Sequence, residues 1–162
     1  EFEKGLVYDP NSSKLRIGLT DALTRQGSLT RALGEANLVL RYEPGNADAH
    51  LAVGILHEAL GDPAGAETAY RAALKDDPGH SRALNNLAYL LAVDRGKPTE
   101  ALPLAQEAYR RTPNSPAVMD TLGWIHHLLG HDDQARPLVQ KAVALDPKDA
   151  AAREHLKALQ GQ

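Results

Sequence analysis

Several residue types are scarce in this chain, and each shortage excludes a class of protein. The 162 residues contain no cysteine, so disulfide bonds, thiol catalysis and cysteine-based metal sites are excluded. The net charge is -3, and without a basic excess we expect no nucleic-acid partner. The longest uninterrupted apolar run, Leu87 to Val93, is too short to insert into a membrane.

Motifs that carry chemistry are also missing. The sequence has no glycine-rich phosphate loop, nucleophile elbow or HExxH motif, so we expect neither an enzyme nor a cofactor. His126, His127 and His131 lie close together, and clustered imidazoles can bind a transition metal. No acidic or cysteine ligand completes the set at a fixed spacing, so we expect no metal site.

Prolines recur along the chain at intervals of 34 or 35 residues. Each one follows an apolar stretch and precedes a short polar turn. These prolines are Pro10, Pro44, Pro78, Pro113 and Pro147. Because proline ends a helix, the pattern indicates a structural repeat. Four of the turns end in a good N-cap for the next helix, namely Ser12, Asn46, Ser115 and Asp149.

Aligned on these prolines, the repeats share columns of small residues. Position 8 holds Thr20, Gly54, Ala88 and Gly123, and position 20 holds Ala32, Ala66, Ala101 and Ala135. Position 15 is always glycine and predicts the end of a first helix. Small side chains let two helices approach closely, and each unit therefore reads as helix, turn, helix, turn. Pro103 and Pro137 are expected near the first turn of a second helix, where proline costs little.

The columns resemble those of the tetratricopeptide repeat (TPR) family, whose unit has 34 residues. The resemblance implies an all-α, right-handed superhelical solenoid. The expected organisation is the second helix of a preceding repeat over 1–12, repeats over 13–46, 47–80, 81–115 and 116–149, and a capping helix over 150–162. Glu1 would then lie inside a repeat, so we expect the chain to be a fragment of a longer protein.

Positions 2, 5, 9, 12 and 13 of the first helices form a stripe turned away from the packing face. In TPR arrays the resemblance implies that this stripe lines a concave groove that binds peptides. The predicted partner-binding residues are Arg25, Asp48, Leu51, Ile55, Glu58, Arg82, Asn85, Tyr89, Asp120, Trp124, His127 and Leu128. Bulk increases along position 9, from Asp21 through Ile55 and Tyr89 to Trp124, which is typical of a recognition surface.

Three alternatives to peptide capture remain open at this point. Ile55, Tyr89 and Trp124 could each pack against the first helix of the adjacent unit instead of a ligand. The array could also associate with copies of itself through its ends and serve as a structural homo-oligomer. Finally, the repeats could position a substrate for a catalytic domain outside this fragment.

The repeats also resemble those of bacterial envelope proteins in polysaccharide export and pilus assembly. The relevant segments are Asn85 to Leu91 and Asp120 to Trp124. The hypothesis is therefore a bacterial scaffold that binds a protein or peptide partner, in the cytoplasm or the periplasm. No motif in the sequence identifies that partner.

Overall fold

Helices account for the regular secondary structure of residues 2–161, the part of the chain that the computed structural model describes. The expected all-α class is confirmed. The ten helices are α1 (Phe2–Tyr8), α2 (Ser13–Arg25), α3 (Leu29–Tyr42), α4 (Ala47–Ala59), α5 (Pro63–Asp76), α6 (Ser81–Val93), α7 (Pro98–Arg111), α8 (Pro116–Leu128), α9 (Asp132–Leu145) and α10 (Ala150–Leu159).

The helix boundaries agree with the recurring prolines and glycines of the sequence. Helices α2, α4, α6 and α8 begin at the first residues of the four predicted repeats, although the division into repeats itself stays a prediction. The position-15 glycines Gly27, Gly61, Gly96 and Gly130 all have φ between 63° and 77°. In each of these turns the residue after the glycine donates its N–H to the carbonyl of the position-11 residue, as in Ser28 to Leu23 at 2.9 Å. This left-handed turn ends the first helix and satisfies its last carbonyls.

The polar turns after the prolines cap the helices unequally. All four predicted residues stand at the N-cap position. Only Asn46 and Asp149 accept a side-chain hydrogen bond from the following helix, Asn46 from the Ala49 N–H and Asp149 from those of Ala151 and Ala152. Ser12 and Ser115 make no such bond.

The expectation that proline costs little at Pro103 and Pro137 was wrong. Each is the sixth residue of its helix, α7 or α9, and therefore lies beyond the first turn. A proline there removes one helical hydrogen bond, because it has no N–H to donate to the carbonyl four residues earlier. Those carbonyls belong to the exposed residues Thr99 and Asp133, so water can take the place of the missing donor.

The chain comprises two compact units. The N-terminal unit runs to His80 and contains α1 to α5, in which α2 packs on α3, α3 on α4 and α4 on α5. Its core includes Leu19, Leu23, Ala32, Ala36 and Leu56. A close approach brings Tyr70 of α5 over Gly54 of α4, where a β-carbon would lie only 2.3 Å from the ring atom Cε1.

The C-terminal unit begins at Ser81 and contains α6 to α10. Helix α6 packs on α7, α8 packs on α7 and α9, and α10 packs on α8 and α9. The alanines at the small-residue columns of α7 and α9 are fully buried. At Gly123 of α8, a β-carbon would lie 2.6 Å from Val139 Cγ2 and 3.1 Å from the Ala135 carbonyl oxygen. The small residues expected to permit close packing therefore do so.

Among the described residues, no helix combines the length and the apolar character needed to span a membrane.

We predict that Gly123→Ala lowers the free energy of unfolding by about 1–3 kcal/mol, because the added methyl group overpacks the contact between α8 and α9. Gly34 is the matched control, since it lies in α3 where an added β-carbon would meet no neighbouring group within 4 Å. Gly34→Ala should raise the free energy of unfolding by about 0.5–1 kcal/mol through helix propensity. Urea unfolding followed by circular dichroism measures both. Equal effects of the two substitutions would contradict the packing account.

Candidate partner-binding surfaces

The predicted residues of the N-terminal unit form a first surface, the N-terminal face, on α2 and α4. Arg25 and Asp48 are exposed and Ile55 is half-buried. The Asp48 carboxylate lies 3.0 Å from His80 Nε2. Leu51 is only 2% exposed, and the Glu58 carboxylate accepts a hydrogen bond from the hydroxyl of the buried Tyr70.

Two corrections follow for this face. Leu51 belongs to the core and offers almost no surface to a ligand. Glu58 anchors a buried tyrosine from α5, so its carboxylate already has an internal role. The accessible part of the N-terminal face is therefore Arg25, Asp48 and Ile55.

The predicted residues of the C-terminal unit form a second surface, the C-terminal face, on α6 and α8. On α6, Arg82 is exposed while Asn85 and Tyr89 are half-buried. On α8 the burial differs from residue to residue. Asp120 is buried, Trp124 and His127 are half-buried, and Leu128 is exposed.

A cavity of about 210 Å³ opens between α6 and the start of α8. It is lined by Arg82, Asn85, Asn86 and Val118, together with the side chains around the hydrogen bond between Ser81 Oγ and Thr112 Oγ1 at 2.7 Å. The Asn85 side-chain oxygen is closed to solvent, and no donor in residues 2–161 reaches it. An unpaired buried acceptor is costly in the free chain, and the residue that carries it lines the cavity.

Asp120 and Trp124 are covered by α10. His155 Nδ1 lies 2.9 and 3.0 Å from the two Asp120 carboxylate oxygens, and both residues are buried. The His155 ring stacks on Trp124 with a centroid distance of 4.0 Å and an interplanar angle of 13°. The Asp120 carboxylate is therefore already paired in this arrangement, and its role in setting the register of a ligand stays a prediction. Trp124 packs against the next helix, which was one of the open alternatives.

His155 was missed by sequence reasoning. It stands at position 6 of the repeat pattern, where the preceding repeats carry Gly18, Ala52, Asn86 and Thr121. Because these residues share no chemical type, the column gave no signal for the contact with Asp120. Arg153 and Lys157 of the same helix indicated a polar outer face, and both are exposed.

His127 is held by its neighbours. Its Nδ1 lies 2.6 Å from Asp132 Oδ1, and its ring lies 4.8 Å from that of Trp124 between centroids. A similar pair joins His57 Nδ1 to Asp62 Oδ2 at 2.9 Å. The Gly65 backbone N–H, followed by His57, holds the pKa of Asp62 below its usual value. In the described part of the chain, no group of three or more histidine or acidic side chains is placed to hold a metal ion.

His126 has a different environment from His127. It is buried, its Nδ1 is closed to solvent, and no hydrogen-bond partner for that atom lies within residues 2–161. Its ring centroid is 5.8 Å from that of His131. Burial lowers the pKa of His126, the charge of His131 lowers it further, and Asp133 opposes both.

These observations define a class of protein, an all-helical array in which small residues pair the helices and the first helices display the variable side chains. Models of the tetratricopeptide repeat match residues 21–67, 51–116 and 92–159. The chain belongs to the tetratricopeptide repeat family.

Two relatives come from Pseudomonas aeruginosa. A TPR repeat-containing protein is 31% identical over 98 residues, which is 60% of this chain and 17% of the relative. The type IV pilus assembly protein PilF is 27% identical over 134 residues, which is 82% of this chain and 52% of PilF. The chain therefore spans about half of PilF and a smaller part of the other relative.

A solved structure shows the same fold. The crystal structure of a TPR protein from Thermus thermophilus superposes with a TM-score of 0.82 at 17% identity, covering 99% of this chain and 88% of that one. The expected TPR solenoid fold is confirmed. Membership of the tetratricopeptide repeat family supports a protein-interaction scaffold, and neither family model that matches is that of an enzyme.

The environment of His126 generates a prediction about acid stability. Because the folded pKa lies below the ordinary value of 6.5, the unfolded chain binds the proton first as the pH falls. Stability is therefore fully present above about pH 6.5 and is lost as the pH falls through the folded pKa. His126→Leu introduces the residue found at this column in α2 and α6. In this variant the free energy of unfolding should fall less as the pH falls.

The same variant should raise the free energy of unfolding at pH 7.5 by about 1 kcal/mol, because it removes an unpaired buried nitrogen. Urea unfolding at pH 7.5 and pH 5.5, followed by tryptophan fluorescence, measures both effects. His131→Gln is the control, since it removes a neighbouring charge but leaves His126 in place. An acid loss that is unchanged in His126→Leu would assign the sensitivity to another group.

Proposed function

We propose that the chain binds an extended segment of a partner protein on its first helices, with Arg82, Asn85 and Tyr89 as the main contacts. The observation that carries the proposal is the unpaired, buried acceptor of Asn85 beside the 210 Å³ cavity. An extended peptide supplies backbone N–H donors of the kind that this oxygen lacks. The cost of the unpaired acceptor in the free chain would then be recovered on binding.

The chemistry of the partner segment follows from the other residues at this cavity. Arg82 is exposed at its edge, and a guanidinium group pairs most strongly with a carboxylate in a bidentate arrangement. Tyr89 lies one helical turn further along α6, where it can pack against an apolar side chain. A segment that combines a carboxylate with an apolar residue fits both contacts.

The N-terminal face offers a separate set of contacts. Arg25 and Asp48 are exposed charges of opposite sign, and Ile55 is a half-buried apolar residue that follows them in sequence. Exposed charges contribute mainly to association rate and orientation. We therefore assign the N-terminal face a secondary role in selecting the partner. On the C-terminal face, His127 and Leu128 at the end of α8 would have a similar role.

A bacterial assembly is the setting that we propose. PilF is a type IV pilus assembly protein, and this chain resembles about half of it. That likeness supports a scaffold within an envelope or export system. It leaves the partner of this chain to be identified by experiment.

The proposal predicts that Asn85→Leu weakens partner binding while it stabilises the chain. Loss of the acceptor should reduce capture of the partner by about tenfold, the effect of roughly 1.4 kcal/mol, and should raise the free energy of unfolding by about 1 kcal/mol. Affinity capture from bacterial lysate with quantitative mass spectrometry measures binding, and urea unfolding measures stability.

Asn37→Leu is the matched control, because Asn37 is exposed on the second helix α3. Arg82→Ala should reduce the same partner, whereas Asn37→Leu should leave it bound. Partners retained equally by all three variants would contradict the proposal.

Self-association is the second candidate function, and the exposed side chains of α1 favour it. Phe2, Val7 and Tyr8 are 40%, 76% and 89% exposed, and they could contact a second copy of the chain. Sedimentation velocity over a hundredfold range of concentration would separate the two candidates. A dimer that is lost in Val7→Ser with Tyr8→Ser and retained in Asn85→Leu would favour self-association.

A further inference from the structure

The contacts of α10 with α8 and α9 include several polar groups. His155 of α10 pairs with the Asp120 carboxylate and stacks on Trp124. Arg136 Nη2 of α9 donates a hydrogen bond of 2.9 Å to the carbonyl of Leu159 at the end of α10. Leu156 and Leu159 of α10 pack on Ala135 and Val139 of α9. We call His155, Asp120 and Trp124 the latch.

The corresponding contact in the N-terminal unit has a different character. Helices α2 and α4 pack on each other, and their shared core cluster contains Leu19, Leu23, Ala52 and Leu56. Ala52 of α4 occupies the repeat position at which α10 carries His155. Where α4 carries Ala52, α10 thus carries a histidine that pairs with a buried carboxylate.

This replacement makes α10 easy to release. A buried histidine–carboxylate pair contributes little net stability, because the cost of removing both groups from water offsets their attraction. Helix α10 has 10 residues and buries only Ala152, His155 and Leu159, whereas α8 buries eight residues. A helix of that length is marginal alone in water, so undocking of α10 and loss of its helical structure are coupled.

We propose that α10 is a displaceable helix that covers Asp120 and Trp124, and that its release uncovers a docking surface for a partner helix carrying a lysine, arginine or histidine. The seated α10 defines the chemistry of the occupant, since a cationic or imidazole group meets Asp120 and Trp124 while an aliphatic residue four positions later meets Val139. The inference rests on the proposed function in that the uncovered surface extends the C-terminal face. Release of α10 can be measured without any partner.

Hydrogen exchange of the full chain tests the release. In the wild type, α10 amides should exchange at least about tenfold faster than those of the core of α8. In His155→Ala the exchange of α10 should rise by about tenfold or more, because Asp120 is left buried without a partner, while α6 and α7 stay unchanged. Acrylamide quenching of Trp124, the only tryptophan, should increase in the same variant.

Two further variants keep this test decisive. His155→Ala could unfold the whole unit, and Asp120→Asn is the alternative variant for that case. It retains the shape of the side chain and should give the same increase in hydrogen exchange, confined to α10. Arg153→Ala is the matched control, because Arg153 is exposed on α10 and does not belong to the latch. Exchange of α10 as slow as that of α8, or increases that spread equally over α6 to α9 in both latch variants, would overturn the proposal.

A peptide spanning residues 149–161 tests whether the surface accepts a separate helix. Added to the His155→Ala chain, the peptide with the native histidine should restore the wild-type quenching of Trp124, and the same peptide with His155→Ala should not. Equal effects of the two peptides, or no effect of either, would overturn the docking part. A partner that is lost in Asn85→Leu but unaffected by the latch variants would leave the scaffold function standing without the latch.

Discussion

Close contact between paired helices at a few small residues is the constraint on which the structure depends. The Tyr70 ring occupies the space above Gly54, and Val139 occupies the space above Gly123, so neither glycine can carry a side chain without displacement of its neighbour. Because these contacts use the small residues of the first helices, the larger residues of those helices face other directions. Packing therefore uses one face of each first helix, and the recognition that we propose would use another.

Much of the fold could be predicted because its determinants are local and repeated. The position-15 glycines have the positive φ that their column predicted, and prolines directly follow the C-cap residues of α3, α5, α7 and α9. The cost of Pro103 and Pro137 was underestimated because it depends on where the helix starts, and the column count does not resolve the preceding turn. The solvent-facing carbonyls around them explain why a helix tolerates them.

The candidate site was less predictable, since exposure depends on helices distant in sequence. Leu51 and Asp120 occupy columns that the stripe assigned to the surface, and yet both are buried. Asp120 is covered by His155, a residue that no local pattern links to it. The unpaired oxygen of Asn85 is equally a property of the fold, because it arises from which donors fail to reach it. Sequence periodicity located the faces, and tertiary contacts decided which of their residues are available.

We propose that the first helices, α6 in particular, bind the partner. Photo-crosslinking tests it most directly, with a benzophenone amino acid placed at Tyr89 of α6 or at Tyr109 of α7, two half-buried tyrosines on first and second helices. The account predicts a crosslinked partner from position 89 and none from position 109. The same partner crosslinked from position 109 alone would contradict it and assign recognition to the second helices.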